Sequence, residues 1–175
     1  MCIRDRFNNI VSLACYTNDT GWARSFVVSH GSLLQEDIRE EIVLLANATI
    51  HFENKDFHKV LDLLANRNFR SQTDMIRSKA LILRSFYELQ VEEDTILSFC
   101  LTFENFLRHH REFKSEAVEA TKRFILIFKK ILLKKTEKDR ILHLIAEDKP
   151  LYFKAWLLDK MSAYENKFAA PKRKR

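Results

Sequence analysis

The chain has 175 residues, with 30 Lys and Arg against 24 Asp and Glu, and only two glycines and two prolines. So few residues suited to positive φ argue against β-hairpins and glycine-rich phosphate loops, and no apolar run approaches the roughly 20 residues that cross a bilayer. The three cysteines, Cys2, Cys15 and Cys100, offer neither an even disulfide framework nor a CxxC metal knuckle, which fits a reducing cytoplasm.

At this length the chain buries roughly 70% of its unfolded surface, enough for one compact domain or one stacked array. Met1-Cys2-Ile3-Arg4-Asp5-Arg6 resembles the translated read-through of a sequencing adapter at the end of a metagenomic reading frame, so 1–6 is set aside from the fold. On that reading the natural protein begins further upstream. A helix is then expected from Phe7 to about Asn18 on Ile10, Val11, Leu13 and Ala14, and a second from Trp22 to Val28 with Gly31 as its stop. The apolar face of the second is Trp22 and Phe26, with Leu33 or Leu34 packing beyond its end. This hairpin, with Ile10, Val11, Leu13, Trp22 and Phe26, carries more apolar surface than one neighbour covers, as an internal repeat does.

The next stretch organises the rest. Ile38, Ile42, Leu45, Thr49 and Phe52 recur in steps of four and three, and Phe57, Val60, Leu61 and Leu64 do the same after the short polar run Glu53-Asn54-Lys55-Asp56. Two stripes so close in sequence fold back on each other as a helical hairpin. Ser71-x-x-Asp74 has the form of a helix N-cap and leads into Ile76, Ala80, Leu83 and Tyr87. Glu92-Glu93-Asp94 opens the following helix, whose stripe is Ile96, Phe99, Phe103 and Phe106. A long helix from Ser115 to Lys134 carries Ala117, Ala120, Phe124, Ile127 and Ile131. Thr136-x-x-Asp139 opens a shorter one with Ile141, Leu142 and Ile145. Pro150 suits a first turn, and the last helix shows Phe153, Leu157, Met161 and Tyr164. The expectation is about nine helices and no sheet.

The second helices of successive hairpins line up at Trp22, Phe57 and Glu93, 35 and 36 residues apart, a period typical of helical solenoids. Over about residues 7–107 the chain resembles tetratricopeptide-like (TPR-like) repeat proteins of bacterial type. Leu45-Ala46-Asn47-Ala48 matches the core of that family's first helix, Asp56-Phe57 opens the second, and Leu83 and Tyr87 run on to Ile96 and Leu97. The loop after the first helix of the central repeat is about two residues longer than in the family, Arg84 replaces a small residue, and no proline ends a repeat. The resemblance implies an all-α fold, a right-handed superhelix of stacked antiparallel hairpins over about 7–34, 35–66 and 71–108. Capping helices at 114–168 complete a single domain over 7–168, followed by a basic tail at 169–175.

The resemblance further implies a noncatalytic interaction module that binds a peptide or helix of a partner protein on the face of its first helices. Carried over position by position, that face holds Glu40, Val43, Asn47, Ile50 and His51 in the central repeat and Ser78, Leu81, Ser85 and Glu88 in the next. An amide such as that of Asn47 meets a peptide backbone with both donor and acceptor; the alternative is that it bonds a neighbouring helix end.

Charge is uneven: residues 1–107 hold 11 Lys and Arg against 15 Asp and Glu, net −4, and residues 108–175 hold 19 against 9, net +10. Lys122, Arg123, Lys129 and Lys130 form a patch suited to steering a partner, or a solvated face. A basic helical-repeat nucleic-acid binder is therefore the second reading, though no base-reading motif is present. An enzyme is the third. No HExxH, GxSxG or Walker loop occurs, and the pairs His51 with His58 and Asp139 with His143 fall short of the three or four ligands zinc needs. Cys100, beside Phe99 on an apolar stripe, reads as a small buried hydrophobe. Neither a cofactor nor a metal is expected.

Overall fold

The computed structural model describes residues 3–109 and 116–164; Met1, Cys2 and the basic tail at 169–175 lie outside them. Among the described residues there are nine α-helices and no strand. They are α1 (Ile3–Tyr16), α2 (Thr20–His30), α3 (Glu36–Glu53), α4 (Phe57–Leu64), α5 (Gln72–Glu88), α6 (Glu93–His109), α7 (Glu116–Leu133), α8 (Lys138–Ala146) and α9 (Lys154–Ser162), with a 3-10 turn at Gly31–Leu33. The chain divides into two compact units, 1–91 and 92–175. The division falls between α5 and α6, inside the segment read as a third hairpin.

In the first unit α3 is central and packs against α1, α2, α4 and α5, while α4 also packs against α5. Its buried arc contains Ile38, Ile42, Leu45, Ala46, Ala48, Ile50 and Phe52. Phe7, Val11, Ala14 and Cys15 of α1 and Ala23 and Val27 of α2 join Ile38, Ile42, Ala46 and Ile50 in one apolar cluster. The large side chains read as the inner faces of the first two helices turn out differently. Ile10, Leu13 and Trp22 are exposed, Leu33 lies outside and Leu34 inside. Val11 is fully buried. Small residues take the inner face of α2 because the chain there approaches α3 closely: a Cβ on Gly31 would stand 3.3 Å from Val43 Cγ2. Gly31 itself keeps a right-handed φ of −58°, so it serves approach rather than a left-handed stop.

Three helix ends close in the same way. Asn18 and Asp19 donate their N–H groups to Cys15 and Ala14, Lys55 and Asp56 to Phe52 and His51, and Gln90 and Val91 to Tyr87 and Phe86. Each pair is a Schellman closure that satisfies carbonyls the helix leaves open. Its left-handed residue is Asn18, Lys55 or Gln90, with φ of 62°, 63° and 55°, at spacings of 37 and 35 residues. Helix starts are capped less uniformly. Asp19 accepts from the N–H of Trp22 at 3.0 Å, so α2 begins at Thr20 rather than Trp22, and Ser71 accepts from the N–H of Asp74 at 3.4 Å.

In the second unit α7 packs against α6, α8 and α9, and α8 packs against α9. Val118, Ala120, Thr121, Phe124, Ile125, Ile127, Phe128 and Ile131 of α7 are buried, an arc of about half the circumference of the helix, and Glu119, Lys122 and Leu126 lie on the exposed side. Phe124 meets the ring of Phe153 edge-on at 5.1 Å, and Trp156 stacks on Phe128 at 6.1 Å. The start of α8 differs from the sequence expectation: Glu137 holds the N-cap position without a side-chain bond, while the carbonyl of Thr136 accepts from the Tyr164 hydroxyl. Pro150 precedes α9 in the connecting loop instead of entering its first turn.

Candidate interaction surfaces

The α3 residues of the expected groove divide by burial. At 100° per residue, Glu40, Val43, Leu44, Asn47 and His51 fall on one stripe of α3, its least buried one, although Val43 packs on the apolar cluster and against Gly31. Glu40 is exposed and the other four are half-buried. His51 is held by Asp56 at 3.2 Å, across the hairpin turn. Ile50 is 2% exposed and part of the apolar cluster, so it presents nothing to a partner.

On α5 the expected groove is corrected more strongly. Ser78, Leu81 and Ser85 are buried, because α5 is buried over most of its circumference, with Asp74, Ala80, Leu83 and Arg84 also inside. The positions that the resemblance leaves open have no solvent here; only Glu88 keeps partial exposure. Arg84 lies 4.1 Å over the ring of Phe52. Burial pulls its guanidinium down to about 10, partly offset by Glu53 and Glu88.

The basic patch on α7 is mostly engaged within its own unit. Arg123 donates to the carbonyl of Leu144 at 2.5 Å and pairs with Glu147 at 3.1 Å; hydrogen bonds from Lys149 and Arg123 hold the Glu147 carboxyl below its ordinary range. Lys129 pairs with Glu104 at 2.6 Å, which ties α7 to α6. Lys122 pairs with Glu119 one turn back at 2.8 Å. Lys122 is exposed and Lys130 half-buried.

Chemistry is sparse. Among the described residues no three His, Cys, Asp or Glu side chains converge as a metal site requires, and His143 approaches Glu147 at 3.9 Å. Cys100 is fully buried, and burial pushes its thiol up to about 12. Cys15 is pushed up to about 11, by burial first and then by Glu53. Such thiols are poor nucleophiles. No described helix is long and apolar enough to cross a membrane.

Of the two rings read as the inner face of α2, Phe26 packs on the apolar cluster and lies 5.0 Å from the ring of Phe7, whereas Trp22 lies outside. On α2, Trp22 stacks on Phe26 with ring centroids 5.3 Å apart, and Phe26 stacks on His30 at 4.5 Å, each pair 17° from parallel. Trp22 is 50% exposed. The i, i+4, i+8 spacing was the available signal. Comparison of the chain with protein-family models, with curated proteins and with solved structures gave no match.

Proposed function

We propose that the chain is a noncatalytic interaction module built on TPR-like hairpins wound as a right-handed solenoid, and that it binds a peptide or helix of a partner protein. The observation that carries this reading is the recurrence of one helix closure at Asn18, Lys55 and Gln90. It marks three first helices, α1, α3 and α5, and within the first unit each lies against the next. Of these helices α3 keeps a less buried arc, whereas α5 is enclosed over most of its circumference. That arc offers Glu40, Leu44, Asn47 and His51, a mixture of apolar and hydrogen-bonding side chains that suits a peptide backbone and one apolar anchor, while Val43 beside them is turned to the core.

The test uses a displayed library of amphipathic peptides, selected on the full chain. Asn47→Ala is expected to weaken selected peptides about fivefold, the scale of one hydrogen bond at ~1 kcal/mol, with the melting temperature unchanged. If the substitution lowers the melting temperature and leaves affinity alone, Asn47 is a structural residue and the stripe is not the site.

A further inference from the structure

We propose that the α3 stripe is the floor of a groove walled by α2 and α4, and that the groove receives an amphipathic helix whose apolar anchor is followed one turn on by an acidic residue. This rests on the reading of the α3 stripe as the binding site, and adds its walls and its ligand. α2 and α4 each pack on α3 but not on each other. A helix is about 10 Å across, and the space between two helices that share only a third one as neighbour admits another.

Contacts at both ends of each wall fix which edge borders the floor. On the α4 side, Lys59 Nζ lies 3.9 Å from Asp56, which holds His51 at 3.2 Å. Arg67, beyond the end of α4, lies 3.7 Å from Glu40. Leu63, one turn after Lys59 and half-buried, stands between these two ties and so borders Leu44 and Asn47. On the α2 side, the Thr20 hydroxyl donates to Asn54 Oδ1 at 2.9 Å, and Gly31 abuts Val43. Arg24 and Val28 follow Thr20 at steps of four along that edge. Both walls run opposite to α3. At 1.5 Å per residue, Arg24 and Lys59 come level with His51, and Val28 and Leu63 with Asn47 and Leu44.

The groove therefore has an apolar level and, one turn away, a cationic one. Three observations define what fits it. Asn47 is half-buried and makes no side-chain hydrogen bond among the described residues, so its amide is available to a ligand. Val28 is 79% exposed, and with Leu44 and Leu63 it offers apolar contact on three sides. Arg24 is exposed and pairs with no acid among the described residues, whereas Asp56 is shared between His51 and Lys59 and Glu40 is met by Arg67. The uncompensated charge is positive and confined to one end, which selects a single acidic group beside an apolar anchor. A nucleic acid, with a phosphate at every nucleotide, would also meet Glu40 at the other end.

The test is fluorescence anisotropy of the full chain with two synthetic amphipathic helices identical but for one position, a Leu anchor followed four residues later by Glu or by Lys. The Glu peptide should bind about tenfold more tightly at ~20 mM salt, and the margin should narrow as salt rises, as for an exposed charge pair. Arg24→Glu, at an exposed position, should abolish or reverse the preference, and Val28→Asp should weaken both peptides at least threefold with the helix signal unchanged. Equal affinity for the two peptides, a preference that survives Arg24→Glu, or no binding of either up to ~1 mM overturns the proposal. If Asn47→Ala still weakens library-selected peptides while Arg24→Glu and Val28→Asp leave them alone, the α3 stripe remains the site and only the walls and the acidic ligand are lost. If Asn47→Ala has no effect either, the proposed function fails with them.

Discussion

At the scale of single residues, the buried titratable groups decide what the protein can do and how stable it is. The thiols of Cys15 and Cys100 keep their protons in the fold well above the ordinary value of 9.0. Once pH passes 9 the unfolded chain binds fewer protons than the folded one, so stability falls as pH rises toward 11, by up to roughly 1.4 kcal/mol per pH unit for each thiol. Denaturant midpoints measured across that range should fall less steeply in Cys15→Ala and Cys100→Ala. An equal slope in both variants would show that the thiols are not the groups responsible. Arg84 acts in the opposite sense. Its depressed value of about 10 means that the folded chain holds the charge on the order of 3 kcal/mol less readily than water does. The contact with Phe52 returns ~1–2 kcal/mol of that. Arg84→Met, which keeps length and gives up the charge, should therefore raise stability by ~1–2 kcal/mol in equilibrium denaturation, and a loss of that size would mean that Arg84 is a required ion-pair partner.

At the scale of the element, periodicity identified the helices well and their inner faces unevenly. Ile38, Ile42, Leu45 and Phe52 lie inside α3 as their spacing requires, since a helix surrounded by neighbours buries whichever stripe is most apolar. On α1 and α2 two apolar stripes run side by side. There the choice between Leu13 and Ala14, or between Trp22 and Ala23, belongs to the partner helix. Close approach near Gly31 selects the small residues, and a sequence read one helix at a time does not contain that distance. The groove on α5 failed for a related reason: Ser78 and Ser85 are polar in sequence but small enough to be enclosed. Turns were the least legible element, because the left-handed positions are filled by Asn18, Lys55 and Gln90 instead of glycine. This leaves a stabilising change available. A side chain at positive φ costs ~1–2 kcal/mol and glycine gives back part of that in backbone entropy, so Gln90→Gly should gain about 0.5–1 kcal/mol by thermal denaturation. Gly at Asn18 should gain less, since asparagine tolerates the conformation.

At the scale of the whole molecule, net charge and available charge are different quantities. The formal charge of +6 suggests an anionic partner, yet Arg123 and Lys129 spend their charge on Glu147 and Glu104 inside the second unit. Arg123→Met should accordingly act on stability: it removes an ion pair and a hydrogen bond to the Leu144 carbonyl, a loss of ~2 kcal/mol, whereas Lys122→Ala should change melting little because surface pairs contribute ~0–1 kcal/mol. The same reasoning separates the two partner classes. Phosphate contacts release counterions, so affinity for nonspecific RNA falls by roughly 0.7–0.9 decades per decade of salt for each contact. With three of the four patch residues paired with acidic partners, the chain should make few such contacts, and retention on RNA should be weak at ~150 mM salt and only shallowly salt-dependent. The measurement is a salt titration of a labelled, unstructured RNA, read by anisotropy. A slope corresponding to six or more contacts would displace the interaction-module reading in favour of a nucleic-acid binder, and Lys122→Ala with Lys130→Ala should then reduce that slope while peptide binding at α3 stays as it was.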